Sequence, residues 1–301
     1  MPSVGYPSLE QLTTFAAVAD AGSFSGAART MHRAQSVVSY AIGQLEQQLG
    51  VTLFDRTGRT PVLTDAGRGL LGEARRAGAA VDSLRARAAG LQAGLEAELH
   101  LGLDVMLPNA ITVRSLDAFA AEYPTVSLRL CVEALGGVAA LVDSGECDLG
   151  VSTELATMPR TLQHRPAGSI RLIPVAAPGH PLARATAPLA PELVRDATQI
   201  VLTDRSRMTE GREIAVLSLK TWRIGDLGAK HALLMGGLGW GNMPEALVEA
   251  DLAAGRLVRL DLVEGRAHTY PLGLIQRRDR LLGPAAQWME ARLRDAIGLA
   301  R

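Results

Sequence analysis

Gln35, Ser36, Ser39 and Tyr40 gather four hydrogen-bonding side chains in the segment AQSVVSYAIGQLEQQLG. On one face of a helix such groups can read base edges in a DNA major groove. A glutamine pairs bidentately with adenine, a serine serves as donor or acceptor, and Val37 can meet a thymine methyl. From Ala34 to Asp55 the chain carries no lysine or arginine. Attraction to phosphate therefore has to come from the flanks, from Arg29, His32 and Arg33 on one side and Arg56 and Arg59 on the other. The competing reading is that the four polar residues merely solvate an exposed helical face.

Other chemistries find less support. Six histidines, at positions 32, 100, 164, 180, 231 and 268, show neither paired metal-ligand spacing nor an HExxH pattern. No P-loop, GxSxG or dinucleotide fingerprint occurs, and GGLGWG follows a predicted helix rather than a strand. An enzyme, a metal and a cofactor are accordingly not expected. Two cysteines, Cys131 and Cys147, make no disulfide framework, and no cation adjoins either to activate a thiolate for redox sensing. Lys+Arg and Asp+Glu are 31 each, so no global field argues for nucleic acid or an anionic surface. No apolar run approaches the ~20 residues that span a bilayer, and the N-terminus lacks signal-peptide features. The expected location is the cytoplasm, with no membrane partner.

The elements that must position the polar quartet are legible from periodicity. LEQLTTFAAVAD sets Leu9, Leu12, Phe15, Ala16 and Ala19 on one helical face behind Ser8 as N-cap. Ser23 or Ser25 caps a second helix with Ala27, Ala28 and Met31 against its neighbours. Val38, Ile42, Leu45 and Leu49 give a third helix over 35–49, stopped by Gly50. Two such helices with a short turn, after a first helix, make a helix-turn-helix. LFDRTGRTPVLT reads as a hairpin wing. From Thr64 or Asp65, Gly67, Leu70, Ala74, Ala77, Val81, Leu84, Ala88, Leu91 and Leu95 form a heptad seam. Its glycines at 72, 78, 90 and 94 each cost about 1 kcal/mol relative to alanine, so the helix is expected to need a partner helix. Beyond Ala97, apolar runs such as AELHLGLDVML, VSLRLCVE, CDLGVST, SIRLIPVAAP, TQIVLTD, RLVRLDL and TYPLGLIQ alternate with helical segments, the pattern of an α/β domain.

LxxFxxVAxxGSFSxAA from Leu12, VVSxxIxxLExxLGxxLFxR from Val37 to Arg56 and LTxAG from Leu63 to Gly67 together resemble the LysR-type transcriptional regulators. FAAEYPTVSLRL, LVDSGECDLGVS and GLGWGNMPEALVEADLAAGRLVRL extend that resemblance through the rest of the chain. It implies a multidomain α and α/β protein: a winged helix-turn-helix over 1–66, a linker and dimerisation helix over 67–96, and an effector-binding domain over 97–301. The last would have two lobes resembling a periplasmic binding protein, 97–169 plus 269–301 and 170–268, with a small effector of unknown identity between them. The implied partners are double-stranded DNA at an inverted-repeat promoter site and other copies of the chain, paired through the linker helix into a homotetramer. RNA polymerase is a further candidate. The family often carries Ser-Gln-Pro-Ala-Val-Ser-Arg-Gln at the reading helix, where Ala34, Ser36, Val37, Tyr40 and Ala41 depart from that pattern.

Family spacing sets Asp104, with Val105, where a Ser or Thr often holds an effector carboxylate. An acid there suggests a ligand with an amine or hydroxyl donor; alternatively, Asp104 faces the surface or pairs with an arginine. Asn109, Thr153, Thr203, Arg205, Trp222, Trp240 and Asn242 are the other candidate effector contacts, with Arg223 beside them. The two tryptophans are read either as a wall for a flat ligand or simply as core.

Residues 1–66 hold four arginines against five acidic residues, a formal charge of −1. Because backbone affinity scales with the phosphates neutralised, a single domain should bind weakly and several linked ones strongly. A residue 1–66 fragment is expected to bind promoter DNA about tenfold or more weakly than the full oligomer in an anisotropy titration; equal affinities would refute this.

Overall fold

The computed structural model describes residues 5–58, 60–155, 158–211, 215–263 and 268–299. The chain divides into two compact units, Met1–Gly90 and Leu91–Arg301.

In the first unit, α1 (Leu9–Ala21) opens with a reciprocal capping box. Gln11 donates its backbone N–H to Ser8 Oγ at 3.2 Å, and Ser8 donates its own to Gln11 Oε1 at 2.6 Å. Ser23 rather than Ser25 caps α2 (Phe24–Thr30). The third helix, α3 (Gln35–Leu49), has no side-chain N-cap and buries Val38, Ile42 and Leu45. The wing is β1 (Phe54–Asp55) paired antiparallel with β2 (Val62–Leu63). Phe54 meets Phe15 and Phe24 edge to face, with centroids 5.6 and 5.7 Å apart, and so joins wing, α1 and α2 in one core. A 28-residue helix, α4 (Asp65–Gln92), follows. Its Gly67 is required by close approach: a Cβ there would sit 2.2 Å from the carbonyl oxygen of Leu53. Leu70, Leu71 and Ala74 pack on the domain core, so the first half of the seam is satisfied within the chain. Further along, Leu84 is 66% and Leu91 50% exposed.

The second unit comprises β3 (Glu98–Asp104), α5 (Asn109–Glu122), β4 (Ser127–Glu133), α6 (Gly137–Ser144), β5 (Leu149–Ser152), β6 (Leu162–Ala176), α7 (Pro181–Arg184), α8 (Pro191–Asp196), β7 (Gln199–Leu202), β8 (Thr221–Ile224), α9 (Leu227–Met235), β9 (Trp240–Pro244), α10 (Glu245–Ala253), β10 (Val258–Arg259), β11 (His268–Arg277) and α11 (Pro284–Gly298). Among the described residues the strands run β4-β3-β5-β11-β6-β9-β7-β8, with β10 on β6. Parallel β3, β4 and β5 form one lobe, and parallel β7, β8 and β9 form the other. Antiparallel β6 and β11 run through both. Glu96 ties the returning helix to the start of the unit: its carboxylate accepts the N–H groups of Ala285 and Ala286 at 3.1 and 3.0 Å, supplying the cap that α11 lacks.

Three features differ from the sequence pattern. The strand expected from Ser169 begins at Leu162, because Pro166 is accommodated at a bulge opposite Gly273. The expected lobe boundary at 169/170 thus falls inside one continuous strand. The glycine-rich segment GGLGWG, not assigned to an element from sequence, leads into the fully buried strand β9, where neighbours crowd both faces. TWRI, not assigned from sequence, is the edge strand β8.

A Cβ on Gly273 would come within 2.6 Å of the Arg165 carbonyl oxygen and closer still to the His164 ring. Gly273→Val should therefore destabilise the second unit by about 1–3 kcal/mol, read as a lower urea midpoint. An unchanged midpoint would show that β6 and β11 can part without loss.

Candidate functional site

Two regions of the structure carry chemistry, one in each unit. On α3, Gln35, Ser36 and Tyr40 are exposed, Tyr40 at 69%, while Ser39 is half-buried. The buried Val38, Ile42 and Leu45 lie on the opposite side of the helix, so packing fixes which face is free. Arg29 is exposed. Arg33 is exposed and lies 3.7 Å from Glu10 across solvent, a spacing that holds it weakly. Arg59 lies outside the described residues.

Arg56 has partners within the domain. Its guanidinium donates to Glu46 Oε2 at 2.9 Å and stacks over the Phe24 ring at 4.8 Å. Glu46 Oε1 in turn accepts the N–H groups of Leu53 and Phe54 at 2.8 and 3.2 Å. Arg56 is thus part of the clamp that fastens the wing to the end of α3, with its side chain 41% exposed.

In the second unit, residues of both lobes enclose adjoining spaces. One cavity of about 50 Å³ is lined by Met106, Gln199, Lys230, Asn242 and Tyr270 among others. A second, of about 370 Å³, is lined by Thr203, Asp204, Ser206, Thr209, Glu210 and Arg223. Leu135, Val201 and Leu202 border both. A third, of about 350 Å³, is mainly apolar and includes Asn109. Across the second space, Asp204 accepts the backbone N–H of Gly136 at 2.6 Å while holding the hydroxyls of Ser206 and Thr209 at 2.9 and 2.5 Å. A carboxylate of one lobe therefore sits at the start of α6 in the other.

Of the residues expected to meet an effector, Thr203, Asn242 and Asn109 line these cavities, each a different one. Thr153 is buried behind them, its hydroxyl bonded with Tyr270. Asp104 neither reaches the surface nor pairs with an arginine. It accepts the Met106 N–H and the Tyr270 hydroxyl, both at 2.8 Å, and lies outside the cavity linings. Burial pushes its carboxyl up to about 7, against the opposing pull of those hydrogen bonds. Its role is to hold Tyr270, whose own hydroxyl is raised well above the ordinary tyrosine range, first by burial and then by Asp104.

The tryptophan wall is not formed. Trp240 is wholly buried among Ala176, Leu182, Leu189 and Leu260, and its indole N–H donates to Ser218 Oγ at 3.0 Å. Trp222 stands half-exposed on edge strand β8, and Arg205 is exposed; both lie outside these cavities. Lys230, Tyr270 and Asp204 escaped the sequence reading. Lys230 did offer a signal, being one of two lysines in the chain and set in the apolar run LGAKHALLM. Burial and the neighbouring Cys131, Asp148 and Glu146 push the Cys147 thiol up to about 12, which keeps it from acting as a thiolate. Among the described residues no helix is long and apolar enough to cross a membrane.

Comparison with known proteins places both regions in context. Residues 9–68 match the family described as bacterial regulatory helix-turn-helix protein, lysR family, and residues 92–298 match the LysR substrate binding domain. The probable HTH-type transcriptional regulator YhaJ of Escherichia coli K12 is 29% identical over 289 residues, 93% of each chain. The HTH-type transcriptional activator AllS of Klebsiella pneumoniae is 30% identical over 254 residues, 83% of this chain and 93% of that one. The crystal structure of ArgP from Mycobacterium tuberculosis superposes with a TM-score of 0.53 at 26% identity, covering 95% of this chain and 96% of that one.

The raised Asp104 carboxyl fixes a sign. Between its ordinary value of 3.8 and about 7 the folded protein holds a proton that the unfolded chain has released, so this group's contribution to stability falls as pH rises through that window. Asp104→Asn should flatten the decline in unfolding free energy between pH 5 and 7. Parallel pH profiles for variant and parent would contradict the assignment.

Proposed function

The chain belongs to the LysR family of bacterial transcriptional regulators, and on that premise we propose how its two units divide the work. As a family member it is a DNA-binding regulator with an effector-binding domain, and not an enzyme. Its DNA binding or bending responds to a small molecule held between the two lobes, and such regulators bind DNA as oligomers.

The proposed reading face is the first half of α3. Gln35 and Ser36 address base edges, with Ser39 and Tyr40 beside them, while Arg29 and Arg33 hold phosphate. The observation that carries this is the exposure of Gln35, Ser36 and Tyr40 on a helix whose other face is buried in the domain core. Arg56 acts through Glu46 by positioning the wing. The exposed seam residues Leu84 and Leu91 support pairing of two copies through α4, and pairs of such dimers would form the tetramer on an inverted-repeat promoter. RNA polymerase is the proposed downstream partner and the cytoplasm the proposed site of action. The reading invokes no cofactor.

Binding of the full-length protein to its own promoter region, followed by anisotropy across a salt series, tests the division of labour. Arg29→Ala should weaken binding to all sequences alike and reduce the salt slope by about 1 per domain in contact. Gln35→Ala should leave that slope intact and relax discrimination at one base pair by about 1–3 kcal/mol. A Gln35→Ala variant with unchanged base preference would remove α3 as the reading element.

A further inference from the structure

Lys230 lies buried midway along α9 and donates from Nζ to the backbone carbonyl of Asn242 at 2.7 Å. An ammonium has three donors, and no second acceptor for this one is found among the described residues. Asn242 Oδ1 is also buried, without a hydrogen-bond partner among those residues. Both residues line the cavity of about 50 Å³. Two of the other polar groups there are committed, and His268 also lines the cavity. Gln199 accepts from the N–H groups of Leu217 and Ser218 and donates to the carbonyl of Ala215, and Tyr270 donates to Asp104. Burial lowers the Lys230 amine to about 8, so it remains mainly protonated at neutral pH.

A buried cation and a buried acceptor left open at one cavity cost free energy unless something completes them. What completes them must be negative at one end and carry a donor nearby. Leu135, Val201 and Leu202 border both this cavity and the one of about 370 Å³, so the two spaces adjoin across these three side chains.

We propose that Lys230 and Asn242 form the polar end of the effector site and select a carboxylate that bears a hydroxyl or amine on the adjacent carbon. The carboxylate accepts from Lys230 Nζ, and the neighbouring donor is received by Asn242 Oδ1. The remainder of the effector occupies the larger space, where Asp204 and Arg223 meet it. This rests on the cleft being the effector site, and it relocates the charged contact from β3, where Asp104 is turned inward, to α9.

Sodium glycolate is a minimal probe, with acetate lacking the donor and chloride as the ionic control. Calorimetry on the full-length protein at constant ionic strength should show saturable glycolate binding, weaker acetate binding and none for chloride. Lys230→Met should weaken glycolate about tenfold or more, and Asn242→Val should bring glycolate and acetate together. A wild-type protein that does not bind glycolate overturns the proposal whatever the variants do, as does a folded Lys230→Met that binds it equally well. Glycolate binding that leaves promoter affinity and bending unchanged would support the site while refuting the cleft as the effector switch. Absent binding with intact promoter recognition would refute the site alone.

Discussion

The pairing of β6 with β11 is the constraint on which the effector unit depends. Each strand contributes to both lobes, and each is the other's neighbour along ten register positions, His268↔Leu172 to Arg277↔Leu162. On one side β11 carries β5 and with it β3 and β4; on the other β6 carries β9 and β10. Any change in the angle between lobes has to be absorbed by these two strands. The bulge at Leu272/Gly273, opposite Pro166, is where the ladder already departs from regularity. A ligand gripping residues on both sides of the cleft therefore acts on a defined element rather than on a loose linker.

The same unit settles its buried polar groups unevenly. Asp104, Tyr270 and Thr153 satisfy one another beneath the cleft, and Gln199 is engaged in holding Ala215, Leu217 and Ser218. Lys230 and Asn242 are left with capacity to spare at the cavity. Since buried polar groups ordinarily find partners, the contrast between a closed set and an open pair within one cleft separates scaffolding from recognition. Asp204, bonded across the cleft to Gly136, adds a contact that a bound molecule must either keep or replace.

The DNA-binding unit works with little charge, and part of what it has is internal. Glu46 accepts two backbone N–H groups and Arg56 at once, so the LExxLG signature is explained by wing geometry rather than by DNA. With Arg56 paired to Glu46, Arg29 and Arg33 are the less engaged described arginines beside the reading face. Grip must then come from several domains acting together, which makes the exposed distal seam of α4 functionally connected to the neutral reading helix.

Local chemistry determined the first unit. The 3.6-residue spacing of Val38, Ile42 and Leu45, the Ser8–Gln11 cap and the Gly50 stop are contained within single helices, and they remain readable because each interaction spans a few residues. Strand-sized apolar runs likewise located most of the α/β unit. Tertiary structure alone decided the cleft. Asp104 meets Tyr270 across 166 positions, and Trp240 becomes core because β9 is enclosed on both faces. Lys230 becomes a recognition group because α9 and β9 pack it against Asn242. Periodicity reports which face of an element is buried; what meets that face depends on which distant strands become neighbours, and that is set by the pairing of β6 with β11.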